Sequence, residues 1–234
     1  MVKTAIILAG GLGTRLRDTV PDLPKAMVPI HNRPFLEYQL DYWINQGIKN
    51  FILSVGYLKD SIINHFGSSY NGASIGYIVE HQPLGTGGGM VLAAQDLAEN
   101  FLVLNGDTFI EVDLNKLYSF HLKSKSLWTF SLFRTSDFER YLTMDVGPKG
   151  EIISLNSKSK EINGLANGGV YLLDPLALKL LGIFPGDSAS LENQLLPNLI
   201  TNGGELFGQE CGGRFIDIGI PEDYYRASDI LPTI

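Results

Sequence analysis

The stretch Leu8 to Arg17, LAGGLGTRLR, follows an apolar run with Gly10, Gly11 and Gly13 and then two arginines. Glycines let backbone N–H groups approach an anion closely, and Arg15 can add planar, charge-assisted hydrogen bonds to phosphate oxygens. Taken alone, the stretch reads equally as a tight glycine turn with solvated arginines. Two carboxylates stand out farther along. Asp107 falls just past the apolar run FLVLN, where Asn-Gly-Asp also reads naturally as a turn. Asp217, in FIDIG, shares its alternation face with Phe215 and Gly219, an apolar setting in which an unpaired carboxylate is costly. A Mg²⁺ ion would resolve both cases, because it favours hard oxygen ligands and commonly takes one or two carboxylates plus phosphate oxygens.

Such residues need a scaffold, and apolar runs alternate with helical patterns along the chain. Strand-like segments fall at 4–9, 51–55, 73–79, 101–105, 126–133, 168–173 and 213–218; helix candidates fall at 34–46, 59–66, 87–97, 113–122, 190–200 and 221–230. The regular alternation of the first half predicts an α/β fold: a Rossmann-like, doubly wound, mostly parallel mixed sheet with its ligand crevice at the carboxyl ends of the strands. The second half predicts strand pairs and a small β-rich, lid-like part. With 234 residues and no repeat or linker, residues 1–234 are expected to form a single domain.

Composition excludes several functions. A net charge of -7 argues against general nucleic-acid binding, which needs clustered Lys and Arg. The amino-terminal apolar run is too short to span a membrane and lacks a secretory pattern, so a cytoplasmic protein with no membrane partner is expected. The single cysteine, Cys211, excludes an internal disulfide and supplies no metal cluster. No histidine lies near it in sequence, which favours a small packed residue over a nucleophile. The glycine stretch fails the P-loop spacing, and Leu16 stands where the dinucleotide fingerprint needs its third glycine. The second strand runs into Val55-Gly56-Tyr57, without an acidic residue for a ribose.

LAGGLGTRLRDTVPDLPKAMVPIHNRP resembles the amino-terminal signature of the sugar-1-phosphate nucleotidylyltransferases. That signature runs G-G-x-G-T-R-L, then Pro-Lys, then further prolines, matched here by Gly10, Gly11, Gly13, Thr14, Arg15, Leu16, Pro24, Lys25, Pro29 and Pro34. The resemblance implies that the loop, with Leu8 and Ala9, holds the triphosphate of a nucleotide, and that Arg15 and Lys25 meet its charge. It continues through nearly the whole chain. EHQPLGTGGGM, residues 80–90, resembles the family's base-recognition loop and implicates Glu80, Pro83, Gly85 and Thr86, with Asn105 joining the nucleotide-binding set. The Glu80 carboxylate can accept from both the N1–H and N2–H donors of guanine, which makes GTP the expected nucleotide. The family places an aspartate at each of the positions of Asp107 and Asp217 to hold Mg²⁺, the implied cofactor.

The reaction so implied is in-line attack of a sugar 1-phosphate oxygen on the α-phosphorus of a nucleoside triphosphate, with pyrophosphate leaving. The attacking phosphate is already ionised, so positioning and cations carry the catalysis, with Arg15, Lys25, Asp107 and Asp217 as the catalytic set. On the sugar side, aligning NGGVY on the family motif puts Lys158 at the family lysine, with Lys160 as the other option and Ser157 where a glutamate is usual. SKSKE also reads as a solvated loop. Leu142 stands at the glycine of the family's Arg-Tyr-Gly, and Arg140, Asn167, Gly168 and Glu192 complete the expected sugar-phosphate contacts. VLNGDTFIEVDL, SDFERY, LANGGVYLL, SLENQLLP and FIDIGIPEDYY together most resemble the branch that transfers GMP to D-glycero-D-manno-heptose 1-phosphate. Mannose-1-phosphate guanylyltransferases and N-acetylmuramate-1-phosphate uridylyltransferases are its neighbours. A chain of the catalytic domain alone, and a homodimer, are expected. A nucleotide or sugar-phosphate sensor would reuse the loops without needing both aspartates.

Overall fold

The computed structural model describes residues 1–11, 20, 22–155 and 164–232. Strand β1 (Thr4–Leu8) is apolar on both faces, as a strand covered by helices on each side must be. A 3-10 turn, Lys25–Met27, leads to the short hairpin of β2 (Pro29–Ile30) and β3 (Arg33–Pro34), whose turn residues His31 and Asn32 adopt φ of 49° and 62°. Helix α1 (Phe35–Asn45), β4 (Asn50–Val55), α2 (Lys59–Phe66), β5 (Ser69–Tyr70), β6 (Ala73–Val79) and α3 (Gly85–Ala94) follow. Next come β7 (Phe101–Asn105), β8 (Thr108–Ile110), α4 (Leu114–Ser124) and β9 (Trp128–Thr135). The second half holds β10 (Thr143–Val146), β11 (Ile152–Leu155), β12 (Gly164–Leu173), α5 (Leu176–Lys179), α6 (Leu196–Thr201), β13 (Phe207–Glu210), β14 (Phe215–Asp217) and α7 (Pro221–Ile230).

Strands β7, β1, β4 and β6 are parallel neighbours, and the antiparallel β12 extends the sheet beyond β7. Register decides where the site forms. Leu8 pairs with Ser54 on one side and with Asn105 on the other, so three strands end level, and the connections after β1 and β7 share one crevice at that edge. Ile6 and Ile7 point to opposite faces and enter different cores. One core packs Ile7 with Leu36, Leu40 and Trp43 of α1; the other packs Ile6 with Met90 of α3, Tyr171 and Leu191. A third apolar cluster, including Phe35, Phe109, Ile216 and Ala227, seats α7. Strands β10 and β11 form the antiparallel extension expected of the β-rich part.

Several boundaries differ from the sequence expectation, each for a tertiary reason. Helix α3 starts two residues before Gly87, because the Gly87 and Gly88 N–H groups donate to Ala189 O at 2.9 and 3.2 Å. The 190–200 helix opens as a π-helical turn, Leu191–Leu195, in which Leu195 N–H reaches back to Ser190 O at 3.1 Å. Pro197, two residues on, has no N–H to continue a regular ladder. The 213–218 strand contracts to β14 and pairs with β8 outside the main sheet. Strands of two to four residues such as β2, β5 and β8 carry no readable period, and long-range partners alone create them. No helix among the described residues is long and apolar enough to cross a membrane.

Candidate active site

A cleft of about 430 Å³ opens where β1 and β7 end. Its wall includes Leu8, Ala9, Gly10 and Gly11 from the first connection, Lys25, Glu80, and Pro83, Gly85 and Thr86 from the loop before α3. Asn105, Asp107, Glu192 and Gly219 close the other side. Most of the sequence-predicted nucleotide set is thereby gathered in one place. Gly13, Thr14, Arg15, Leu16, Ser157, Lys158 and Lys160 lie outside the described residues.

Glu80 follows β6, and its carboxylate is held by two donors: Ser54 Oγ at 2.8 Å on Oε1 and Leu84 N–H at 3.0 Å on Oε2. A carboxylate has about four acceptor sites, so two remain for other donors. A Cβ on Gly10 would stand 2.5 Å from Glu80 Oε1, so the glycine there lets backbone and carboxylate share the wall. Thr86 links this loop to the π-helical turn. Its hydroxyl accepts from Leu191 N–H at 2.9 Å and donates to Glu192 Oε2 at 3.0 Å, which aims Glu192 at the cleft.

Asp107 sits in the turn between β7 and β8, and Asp217 ends β14. The β8–β14 ladder pairs Thr108 with Asp217, and Asp107 O accepts from Ile218 N–H at 3.0 Å, so backbone bonding holds the two aspartates side by side. Lys25 Nζ lies 2.5 Å from Asp107 Oδ2 and 3.9 Å from Asp217 Oδ1. The expected apolar setting of Asp217 is corrected here. Its Oδ1 accepts from the N–H of Gly219, two residues on, at 2.7 Å, and its Oδ2 from Nη2 of Arg140, 77 positions away in sequence, at 3.2 Å.

Arg140, expected on the sugar phosphate, is instead committed to carboxylates: it pairs with Asp217 and with the buried Asp223 of α7, and it does not line the cleft. Burial works against its charge, but the bond to Asp223 and the field of Asp217 override it and raise the pKa. Asn167 Nδ2 donates to Tyr171 Oη at 2.8 Å, and burial, with the field of Glu192, pushes the Tyr171 phenol far above its ordinary range. Gly168 backs onto Ile110 and Ser131 rather than the cleft, and Leu142 packs against the α3-side core. Cys211 is partly buried, and burial pushes its thiol up to about 11, consistent with a packing role. Sequence reasoning missed Ser54 and Asp223, which touch the site only through partners 26 and more residues away.

Residues 4–233 match the family model described as nucleotidyl transferase. The chain belongs to this family. It is 40% identical, over 97% of its own length and 97% of the relative's, to D-glycero-alpha-D-manno-heptose 1-phosphate guanylyltransferase of Aneurinibacillus thermoaerophilus. The identity to the enzyme of the same description in Campylobacter jejuni is also 40%, over 95% of this chain and 97% of that one. The crystal structure of HddC from Yersinia pseudotuberculosis complexed with GMP-PN superposes with a TM-score of 0.83 at 35% identity, covering 97% of this nucleotidyl transferase and 99% of that chain. The family resemblance carried by the glycine loop, the Pro-Lys pair and the two aspartates therefore extends over the whole fold.

Proposed function

We propose that this nucleotidyl transferase moves GMP from GTP to D-glycero-D-manno-heptose 1-phosphate, forming the GDP-sugar and pyrophosphate with Mg²⁺ as cofactor. The observation that carries the reading is the meeting of Lys25 and Asp107, which line the cleft together with Glu80, Pro83, Gly85 and Thr86, with Asp217 beside the Lys25 ammonium just behind the cleft wall. The substrates follow from the two relatives at 40% identity, which match the chain from end to end.

The donor set fits the metal. Two carboxylates already share a cation, the Lys25 ammonium, and the missing Cβ of Gly219 leaves space beside them, since one there would lie 2.6 Å from Asp217 Oδ1. Asp107 and Asp217 would hold Mg²⁺, which supplies Lewis-acid neutralisation of phosphate oxygens when bound. The chain's own residues do the rest. Backbone N–H groups after β1 hold phosphates, and Lys25 screens the repulsion between the two anionic substrates. Glu80 accepts from the guanine edge, and Glu192, held by Thr86, accepts from sugar hydroxyls. Arg140 orients Asp217.

The test is pyrophosphate release with Mg²⁺ across GTP, ATP, CTP, UTP and dTTP against heptose, mannose, glucose and N-acetylated sugar 1-phosphates. Turnover confined to GTP with the heptose phosphate is expected. Turnover with another pair would keep the chemistry and move the chain to a neighbouring branch; silence throughout would favour a sensor.

A further inference from the structure

Helix α1 buries Phe35, Leu36, Leu40 and Trp43, and among these apolar positions stands one amide, Gln39, at 2% exposure. A buried amide needs a reason to be there, because its polar atoms must leave water. Nε2 has that reason: it donates to Asn105 O at 2.8 Å and to Thr108 O at 2.5 Å. Oε1 has none, being buried with no hydrogen-bond partner among the described residues. The side chain is therefore oriented wholly by its donor end.

Those two carbonyls are the ends of the turn that presents Asp107. We propose that Gln39 is the positioning residue for Asp107, joining both ends of its turn so that the carboxylate faces Lys25 and Asp217. The inference rests on the reading of Asp107 as a cation ligand. Two further bonds locate the turn, Gly106 N–H to Leu8 O and Ile218 N–H to Asp107 O, each at 3.0 Å, but each grips a single point. Gln39 is the side chain that bridges the turn's two ends.

The helix behind it is itself fixed. Arg33 pairs with Glu37 at 2.9 Å and Asp41 at 2.6 Å, while Asn71 donates to Asp41 at 2.8 Å. Phe35 N–H donates to Val28 O at 3.0 Å, tying the start of α1 to the segment that follows Lys25. One helix thus sets the position of both members of the Lys25–Asp107 pair.

The experiment compares Gln39→Met and Gln39→Glu with Tyr42→Phe and Asp107→Asn. Tyr42, on the same helix, exchanges bonds with the Val112 backbone at 3.0 and 2.7 Å, a similar brace that does not touch the Asp107 turn. Readouts are Tm, kcat and KM for GTP across Mg²⁺ concentrations, and Mn²⁺ affinity by electron paramagnetic resonance with a non-hydrolysable GTP analogue bound. Gln39→Met should lower kcat about tenfold or more and weaken Mn²⁺ binding by a similar factor, with KM for GTP little changed. Gln39→Glu, which sets an acceptor against two carbonyls, should lose at least as much. Tyr42→Phe should lower Tm without moving the cation dependence. Native kcat and Mn²⁺ affinity in both Gln39 variants, or losses no larger than those of Tyr42→Phe at equal Tm, would overturn the proposal. Unchanged Mn²⁺ affinity in Asp107→Asn would instead defeat the cation-ligand reading, and the proposal with it.

Discussion

Lys25 and Asp107 meet at 2.5 Å across 82 positions of sequence, and the same ammonium lies 3.9 Å from Asp217. Both side chains of the pair are partly shielded from water, which strengthens their interaction over that of a surface pair. Asp107→Asn and Lys25→Met should each keep the far-ultraviolet circular dichroism of the native protein and lower kcat by about a hundredfold or more. Pyrophosphate release at saturating substrates measures this, and a near-native rate in either would remove that residue from the catalytic set.

Glu80 receives Ser54 Oγ and Leu84 N–H on different oxygens. A glutamine has one carbonyl oxygen for those donors, and its amide would face guanine with a donor of its own. Glu80→Gln should reduce the ratio of kcat/KM for GTP over UTP by about tenfold or more, the scale of a hydrogen bond to a charged group. A native ratio would assign base selection to other groups.

Gly85 adopts φ of 71°, and a Cβ there would stand 2.6 Å from Ala189 O. Gly182 has a similar φ of 68° with nothing within 4 Å. Gly182→Ala therefore carries backbone strain alone, whereas Gly85→Ala adds a clash that pushes the π-helical turn from Thr86. Urea unfolding should show Gly85→Ala destabilised by about 1–3 kcal/mol and Gly182→Ala by less. Displacing Glu192 should also raise KM for the sugar 1-phosphate in Gly85→Ala only.

His121 is buried with Nδ1 2.8 Å from Thr129 Oγ1. Burial lowers its pKa below the ordinary 6.5, with the field of Asp174 opposing in part. The unfolded chain therefore binds a proton that the native state resists. This contribution is fully present above pH about 6.5 and is lost as pH falls from there towards the native pKa, at up to about 1.4 kcal/mol per pH unit. Urea midpoints between pH 7.5 and 5.5 should fall more steeply for the native protein than for His121→Gln, and equal slopes would assign the loss to other groups.

The parallel strands and their helices were legible because β1, β4 and β7 carry continuous apolar runs and α2 and α7 keep their periodicity and end signals. Asp107 and Lys25 could be marked from ordered motifs. The setting of Asp217 could not: alternation along FIDIG gives its strand face but says nothing of Arg140, which reaches it from 77 positions away. Gln39 was invisible for the same reason, since a polar residue on a helix carries no sign of which carbonyls lie beneath it.

By itself the sequence determined the kinds of groups available and the order in which local elements form. Backbone propensity and apolar period act over a few residues, and glycine, Pro-Lys and aspartate positions are read directly. Only the tertiary structure decided that Leu8, Ser54 and Asn105 end level, that β8 and β14 pair Thr108 with Asp217, and that Arg140 serves Asp217. Those are products of strand register and side-chain pairing between distant segments, which the whole fold must satisfy together and no local stretch specifies.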